Sequence, residues 1–205
     1  DNITYSAESD TSSVSTFITG SVLTMTSADN FNGTATISVT ASDGTDSSGV
    51  ESFILTVTPV NDAPVLDAIP NQTTAEDTPL TVTLSATDVD GDLLSFSAVS
   101  STENITVSVT GSILTLTPSS NFNGSEIINV TASDSTVSSN TVTFTLIVTP
   151  VNDAPVLASI DNQTMLEDQS ISVSLSATDE DADNITYSAE SDTSSVSTFI
   201  TGSVL

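Results

Sequence analysis

Val60-Asn61-Asp62-Ala63-Pro64-Val65-Leu66 returns unchanged as Val151-Asn152-Asp153-Ala154-Pro155-Val156-Leu157, an offset of 91 residues. Other stretches fall into the same register without a gap. Ser85-Ala86-Thr87-Asp88 matches Ser176-Ala177-Thr178-Asp179, Asn30-Phe31-Asn32-Gly33 matches Asn121-Phe122-Asn123-Gly124, and Thr40-Ala41-Ser42-Asp43 matches Thr131-Ala132-Ser133-Asp134. A fixed period of this length makes each unit one domain-sized module, because a sequence that repeats also repeats its packing. On that register residues 1–62 are the C-terminal two-thirds of a repeat, 63–153 a complete repeat, and 154–205 the N-terminal part of the next.

Inside the complete repeat the apolar residues recur every second position. Leu80, Val82, Leu84 and Ala86 alternate with Thr81, Thr83 and Ser85, and Val142, Phe144, Leu146 and Val148 alternate with Thr141, Thr143 and Thr145. Side chains on a strand point alternately to opposite faces, so this is the pattern of half-buried strands; no helical period competes with it. The pattern predicts strands near 65–69, 80–86, 93–99, 104–109, 112–117, 126–133 and 140–149. Seven short strands between turn signals make an all-β, Ig-like sandwich, and tandem copies make a row of such domains arranged end to end. Thr110-Gly111-Ser112 reads as a hairpin turn, and Pro118 to Gly124 as a longer loop in which Phe122 plugs the end of the core.

Composition narrows the chemistry. The 205 residues contain 27 aspartates and glutamates but no lysine, arginine, histidine or cysteine, a net charge of -27. Without arginine or lysine there is no phosphate clamp, which excludes nucleic acid and anionic membrane surfaces as partners. Ser/His and Cys/His catalysis, Schiff-base lysines and histidine-bound zinc are equally impossible, leaving carboxylate chemistry such as glycoside hydrolysis as the sole enzymatic route. The reading is therefore not an enzyme. No disulfide can staple a small core, and no apolar run approaches the 18 residues of a membrane span. No basic-then-apolar leader opens the chain, so a targeting signal is expected outside it.

The acids are grouped. Glu76-Asp77 precedes the strand at 80–86, Asp88-Val89-Asp90-Gly91-Asp92 follows it, Asp134 follows the strand at 126–133, and Asn152-Asp153 forms the exit linker. Many hard oxygen ligands without nitrogen or sulfur suit Ca2+, which takes six to eight oxygens in flexible geometry. An EF-hand is excluded, since Leu93 stands where that loop needs glycine and Val99 where it needs glutamate.

Thr-Pro-Val-Asn-Asp-Ala-Pro-Val at the linkers, Glu-Asp early, Asp-x-Asp-x-Asp after the second strand and Ala-Ser-Asp late resemble the cadherin-like tandem repeats of very large microbial surface proteins and adhesins. The resemblance covers the whole chain. It implies Ca2+ at each junction, held by a glutamate from the domain before, the linker Asn-Asp, and aspartates from the domain after. One junction would use Asn61, Asp62, Asp88, Asp90 and Asp134; the other Glu76, Asn152, Asp153, Asp179 and Asp181. Asp92 and Asp183 are secondary candidates. The Asp-Arg-Glu segment of animal cadherins is absent, so fewer ions per junction are expected, and with no tryptophan their adhesive exchange is unavailable.

The function that follows is an extracellular structural repeat protein, a calcium-stiffened stalk or secreted filament for cell-surface adhesion or matrix. Its partners would be neighbouring copies of the repeat, with glycans or other cell surfaces beyond them. A carbohydrate-binding or carbohydrate-cleaving extracellular module is the alternative, and Tyr5, Phe17, Tyr187 and Phe199 are the aromatics that could serve it. Asn-x-Ser/Thr sequons at Asn2, Asn32, Asn71, Asn104, Asn123, Asn129, Asn162 and Asn184 are candidate glycosylation sites.

Residues 183–205 repeat residues 1–23 letter for letter, at twice the basic offset, whereas at the single offset only nine of those 23 positions match. A shared fold alone would not keep Glu8, Asp10 and Ser12 identical. The larger unit is therefore a recently copied pair of domains, or one pair described with an overlap into its successor, and either way the array is expected to continue past both ends. With strands rising ~3.3 Å per residue, a two-domain unit should advance on the order of 70 to 90 Å.

Overall fold

The computed structural model describes residues 2–203, so Asp1, Val204 and Leu205 of the duplicated stretch lie outside the described residues. Every regular element among them is a strand. The first repeat carries β1 (Thr4–Ser9), β2 (Val14–Thr19), β3 (Val22–Ser27), β4 (Gly33–Ser42) and β5 (Glu51–Val57). The complete repeat opens with β6 (Val65–Leu66), β7 (Gln72–Ala75), β8 (Leu80–Thr83) and β9 (Ala86–Thr87). It continues with β10 (Ser95–Ser100), β11 (Ile105–Thr110), β12 (Ile113–Pro118), β13 (Gly124–Ser133) and β14 (Val142–Thr149). The last repeat holds β15 (Val156–Leu157) and β16 (Ala177–Thr178).

The chain packs as two compact units, Asp1–Asp67 with Ser85–Ser97 and Thr131–Thr141 in one, and Ala68–Leu84 with Ala98–Val130 and Val142–Leu205 in the other. In the first unit β4 runs antiparallel between β1 and β5, β2 and β3 form a hairpin, and β6 pairs with β9. Alternation on β4 turns Ala35, Ile37 and Val39 inward, where Val14, Leu23, Met25, Phe31 and Leu55 pack with them.

In the second unit β12 lies between β11 and β8, while β14 lies between β13 and β7. Leu114 and Leu116 on β12 are fully buried, as are Ile128 and Val130 on β13 and Leu146 on β14, with Phe144 and Val148 nearly so. Each such side chain removed from water stabilises by about 1.5 to 3 kcal/mol, which accounts for why the threonine-rich outer positions do not need to contribute. The β11–β12 hairpin turns through Gly111 and Ser112, with Thr110 opposite Ile113. Gly111 has φ +59, the left-handed value that the first position of a type II′ turn requires. Phe122 is half-buried and its ring lies against the backbone of Gly124, where an added Cβ would meet the ring at 3.4 Å.

Two of the expected strands are interrupted. The run 80–86 is not continuous: β8 pairs with β12, while β9 pairs with β6. Leu84 gives its N–H to Ser112 and the Ser85 carbonyl accepts from Asp67, so the pairing partner changes between these residues. The opening strand is likewise two pieces, β6 and then β7 beyond Pro70. Gln72-Thr73-Thr74-Ala75, expected as loop, runs parallel to β14 from Leu146↔Gln72 to Thr149↔Ala75. Counting each interrupted pair as one strand returns the seven of an Ig-like sandwich.

Candidate metal centre

The linker Asn61-Asp62 belongs to the first unit, together with Asp88, Asp90, Asp92 and Asp134. Asp134 ends β13 in a tight turn, its Oδ1 accepting the N–H groups of Thr136 at 2.6 Å and Val137 at 2.7 Å. Its Oδ2 accepts the Asn61 side-chain amide at 2.8 Å. Those donors hold the Asp134 carboxyl below the ordinary aspartate range, the Asn61 amide most of all. The same turn recurs at Asp43, where Thr45 and Asp46 supply the amides and again keep the carboxyl low. Thus Ala-Ser-Asp builds its carboxylate cradle locally, and the linker asparagine is added to it.

Asp88 sits just after β9. Its Oδ1 accepts the N–H of Asp90 at 2.9 Å and of Asp92 at 3.4 Å, folding the segment so that one oxygen from each of the three carboxylates lies within 4.8 Å of the others. Gly91 makes this turn at φ +78. Asp90 Oδ2 in turn accepts the Asp62 N–H at 2.7 Å. One chain of hydrogen bonds therefore joins Asp134, Asn61, Asp62, Asp90 and Asp88, so the structure brings together all five residues expected at this junction, with Asp92 beside them. A hollow of about 300 Å³ borders the linker, lined by Asn30, Asn32, Val60, Asp62 and Asp90 among others.

One oxygen in this group is anomalous. Asp88 Oδ2 is buried and has no hydrogen-bond partner. Buried polar atoms are nearly always satisfied, and an unpaired carboxylate oxygen is among the most costly exceptions. Two charges 4.8 Å apart repel by about 1 kcal/mol in water and ~3 kcal/mol near a protein surface. The sequence has no basic side chain to offset this. The donor set is all oxygen, so the residues fit a hard divalent cation of the Ca2+ type.

The second junction lies in the other unit. Glu76, buried just beyond β7, accepts the Val151 N–H and, at 3.3 Å, the Asn123 amide. Asp153 gives its N–H to Asp181 Oδ2 at 2.6 Å, and Asp179 Oδ1 accepts the N–H groups of Asp181 and Asp183, each at 3.1 Å. Among the described residues the Asn152 side-chain amide donates to the Asp153 carbonyl, at 2.8 Å. Burial first, then the carboxylates of Asp181, Asp77, Glu76 and Glu180, pushes Asp153 above its ordinary value. Asp77 and Glu180 were not among the expected ligands. Their signal was adjacency, Glu76-Asp77 and Asp179-Glu180, each offering a second carboxylate at a turn. Asp77 occupies the left-handed region at φ +56 and accepts the Asn121 N–H at 3.2 Å.

The sequons divide by what their side chains do. Asn104 donates to Glu126 at 3.0 Å and Asn123 to Glu76, so both amide nitrogens are engaged. Asn71 accepts from the Thr145 N–H and Asn129 from the Thr143 hydroxyl through their oxygens. Asn2, Asn32, Asn162 and Asn184 are exposed.

Residues 61–147 match the family model of the Bacterial Ig domain. The match runs from the linker asparagine to within two residues of the end of β14. No curated protein matches the chain. Among solved structures, human mucin-like protocadherin EC1-2 is 20% identical at a TM-score of 0.46, over 74% of this chain and 86% of that one. The protocadherin GammaB4 extracellular domain is 18% identical at 0.44, over 87% and 35%. The endo-fucoidan hydrolase MfFcnA4 of glycoside hydrolase family 107 is 20% identical at 0.34, over 74% and 24%. No helix among the described residues is long and apolar enough to cross a membrane.

Proposed function

We propose that the chain is part of an extracellular, non-enzymatic array of Ig-like repeats whose linkers are stiffened by Ca2+, serving as a stalk or filament in adhesion or matrix. The observation that carries this reading is Asp88 Oδ2, buried and partnerless within three converging carboxylates that are hydrogen-bonded to the linker. Asn61, Asp62, Asp88, Asp90 and Asp134 would hold the ion at one joint, and Glu76, Asn152, Asp153, Asp179 and Asp181 at the next, with Asp92, Asp183, Asp77 and Glu180 beside them. The ion would supply the counter-charge that the sequence lacks. The first and complete repeats keep apolar cores of their own, so the cation would act mainly by holding the linker rather than by building the sandwiches. Modules of this kind bind Ca2+ at about 10⁻⁴ to 10⁻³ M, which fills the sites outside a cell and not inside one. Exposed sequons such as Asn2, Asn32, Asn162 and Asn184 would carry any glycan.

Small-angle scattering of a fragment with several repeats tests this. Chelation should lower the radius of gyration and the maximum dimension, as a stiff row of domains becomes a jointed one, while the sandwiches stay folded. An unchanged profile together with an unchanged thermal midpoint would remove the junction sites.

A carbohydrate-binding module is the second reading, favoured by the exposure of Phe17 at 68% and of its duplicate Phe199 at 80%. Phe17 lies on the outward face of β2, where the complete repeat has Ser108. Glycan-array binding that is lost in Phe17→Ala and Phe199→Ala would establish it.

A further inference from the structure

Aspartate is followed by glycine at two places, Asp43-Gly44 and Asp90-Gly91. That pairing permits a reaction of the backbone on its own side chain. The amide nitrogen after an aspartate can attack the side-chain Cγ and close a five-membered ring, and glycine favours this because no Cβ hinders the approach and its backbone turns freely. Whether the ring closes depends on how firmly other partners already hold the nitrogen and the carboxylate.

At Asp43 both are held. Gly44 gives its N–H to the Ser42 hydroxyl at 3.1 Å, and Asp43 Oδ1 accepts from Thr45 at 2.9 Å and from Asp46 at 2.8 Å. At Asp90 the nitrogen is free. Asp90 and Gly91 are exposed, Gly91 sits at φ +78, and its N–H meets no acceptor among the described residues. The Asp90 carboxylate is tied through one oxygen, Oδ2, to the Asp62 N–H. The second junction repeats this turn with both routes closed: Ala182, at φ +60, carries a Cβ and gives its N–H to the Asp179 carbonyl at 3.3 Å. Asn32-Gly33 and Asn123-Gly124 could form the same ring with loss of ammonia, but Gly33 and Gly124 open β4 and β13 and pair opposite Val57 and Val148.

We propose that Asp90 is a self-modification site: in the ion-free chain the Gly91 nitrogen converts it to isoaspartate, and Ca2+ at the first junction prevents this. The Gly91 N–Asp90 Cγ bond forms while one carboxylate oxygen leaves as water, taking the amide proton and one proton from solvent, and a succinimide results. Water then opens the ring at the original backbone carbonyl, returning a proton to Gly91 N and one to solvent. The chain now runs through Cγ, and the carboxylate stands on Cα. One water leaves, one enters, and nothing is oxidised. The protection rests on the calcium reading above, because a cation held by Asp88, Asp90 and Asp134 keeps the Asp90 carboxylate turned to the ion and away from Gly91 N. The product carries an extra methylene in the backbone and displaces the acceptor of the Asp62 N–H, so a joint left empty loses its ligand geometry for good.

The test incubates the whole 205-residue chain at neutral pH in chelator and in calcium. Cleavage at glutamates releases the peptide that follows Glu76, and electron-transfer fragmentation tells isoaspartate from aspartate at each position. In chelator, isoaspartate should accumulate at Asp90 ahead of Asp43, Asp88, Asp92 and Asp181. In about 10 mM Ca2+ it should accumulate about 10- to 100-fold more slowly, the reduction in ion-free junction expected at affinities of about 10⁻³ to 10⁻⁴ M. Gly91→Ala, whose added Cβ meets nothing within 4 Å and whose conformation Ala182 already adopts, should stop the accumulation with the chain still folded. No isoaspartate at Asp90 in chelator, a lead at Asp43, or an undiminished rate in folded Gly91→Ala would each overturn the proposal. An equal rate in calcium also overturns it, and the thermal midpoint of the same samples separates the causes. A midpoint that rises with calcium leaves the ion's site standing without the protection, whereas a midpoint that does not rise removes the site itself.

Discussion

The Asn61 side-chain amide donates to Asp134 Oδ2 across 2.8 Å, joining residues 73 positions apart and tying the linker to the turn that ends β13. Its other contact is with its own neighbour, the Asp62 carbonyl at 3.0 Å. An asparagine is needed because it donates to one carboxylate without adding another. Asn61→Asp should lower the thermal midpoint in chelator, and millimolar Ca2+ should restore it. Asn61→Ala should lower the midpoint with no such rescue. An aspartate variant as stable as the parent in chelator would contradict the electrostatic reading.

Glu126 makes a pH prediction away from the junctions. It points inward from β13, and the Ser101 hydroxyl, the Thr102 hydroxyl and the Asn104 amide donate to it at 2.7, 2.7 and 3.0 Å. These donors, Asn104 foremost, hold its carboxyl below the ordinary glutamate value. A depressed carboxyl contributes stability that is present above the unfolded glutamate pKa and is lost as pH falls through the folded value. Glu126→Gln should therefore be less stable than the parent at neutral pH, with the gap closing in that acid window. Glu126→Ala should cost about 1 to 3 kcal/mol by removing three part-buried hydrogen bonds to a charged group. Parallel acid-denaturation curves for parent and Glu126→Gln would contradict the network.

Core and linker should respond separately. Leu116 is fully buried on β12, so Leu116→Ala should cost about 2 to 5 kcal/mol. That loss should be the same with Ca2+ or chelator, read from denaturant midpoints. A Leu116→Ala penalty that changes with calcium would show that the ion supports the core.

Spacing along a native assembly offers a further check. A pair of repeats should advance on the order of 70 to 90 Å, measurable as a layer line or by tomography. A compact globule in place of a periodic fibre would contradict the array.

Much of the fold was legible because alternation survives where one face is buried. On β14 Phe144, Leu146 and Val148 fall on the inner face, and on β12 Leu114 and Leu116 do. β7 was not legible. Gln72-Thr73-Thr74-Ala75 has no apolar alternation; it is a strand because β14 offers a parallel edge and because the buried Thr74 hydroxyl finds the Thr78 carbonyl at 2.9 Å. The break at Leu84 escaped notice for the opposite reason, since the alternation runs on unbroken while the pairing partner changes. Glu126 was hidden by Ile127 and Ile128, adjacent apolar residues that leave the phase of β13 ambiguous. The structure turns Ile128 inward and Ile127 outward, and Ser101, Thr102 and Asn104 close over the carboxylate. At the junctions, spacing and resemblance located the acids, but Asp88 Oδ2 as the unsatisfied atom needed coordinates.

Calcium binding at the first junction is most directly tested by thermal unfolding of the full chain in chelator and in 10 mM Ca2+, a level on the order of 100 times the tighter affinity expected. Mass action then predicts a gain of about 2.7 kcal/mol in the unit that contains Asn61, Asp88, Asp90 and Asp134. Asp88→Asn with Asp90→Asn should abolish that gain while leaving the chain folded in chelator. An equal shift in the variant, or no shift in the parent, would contradict the account.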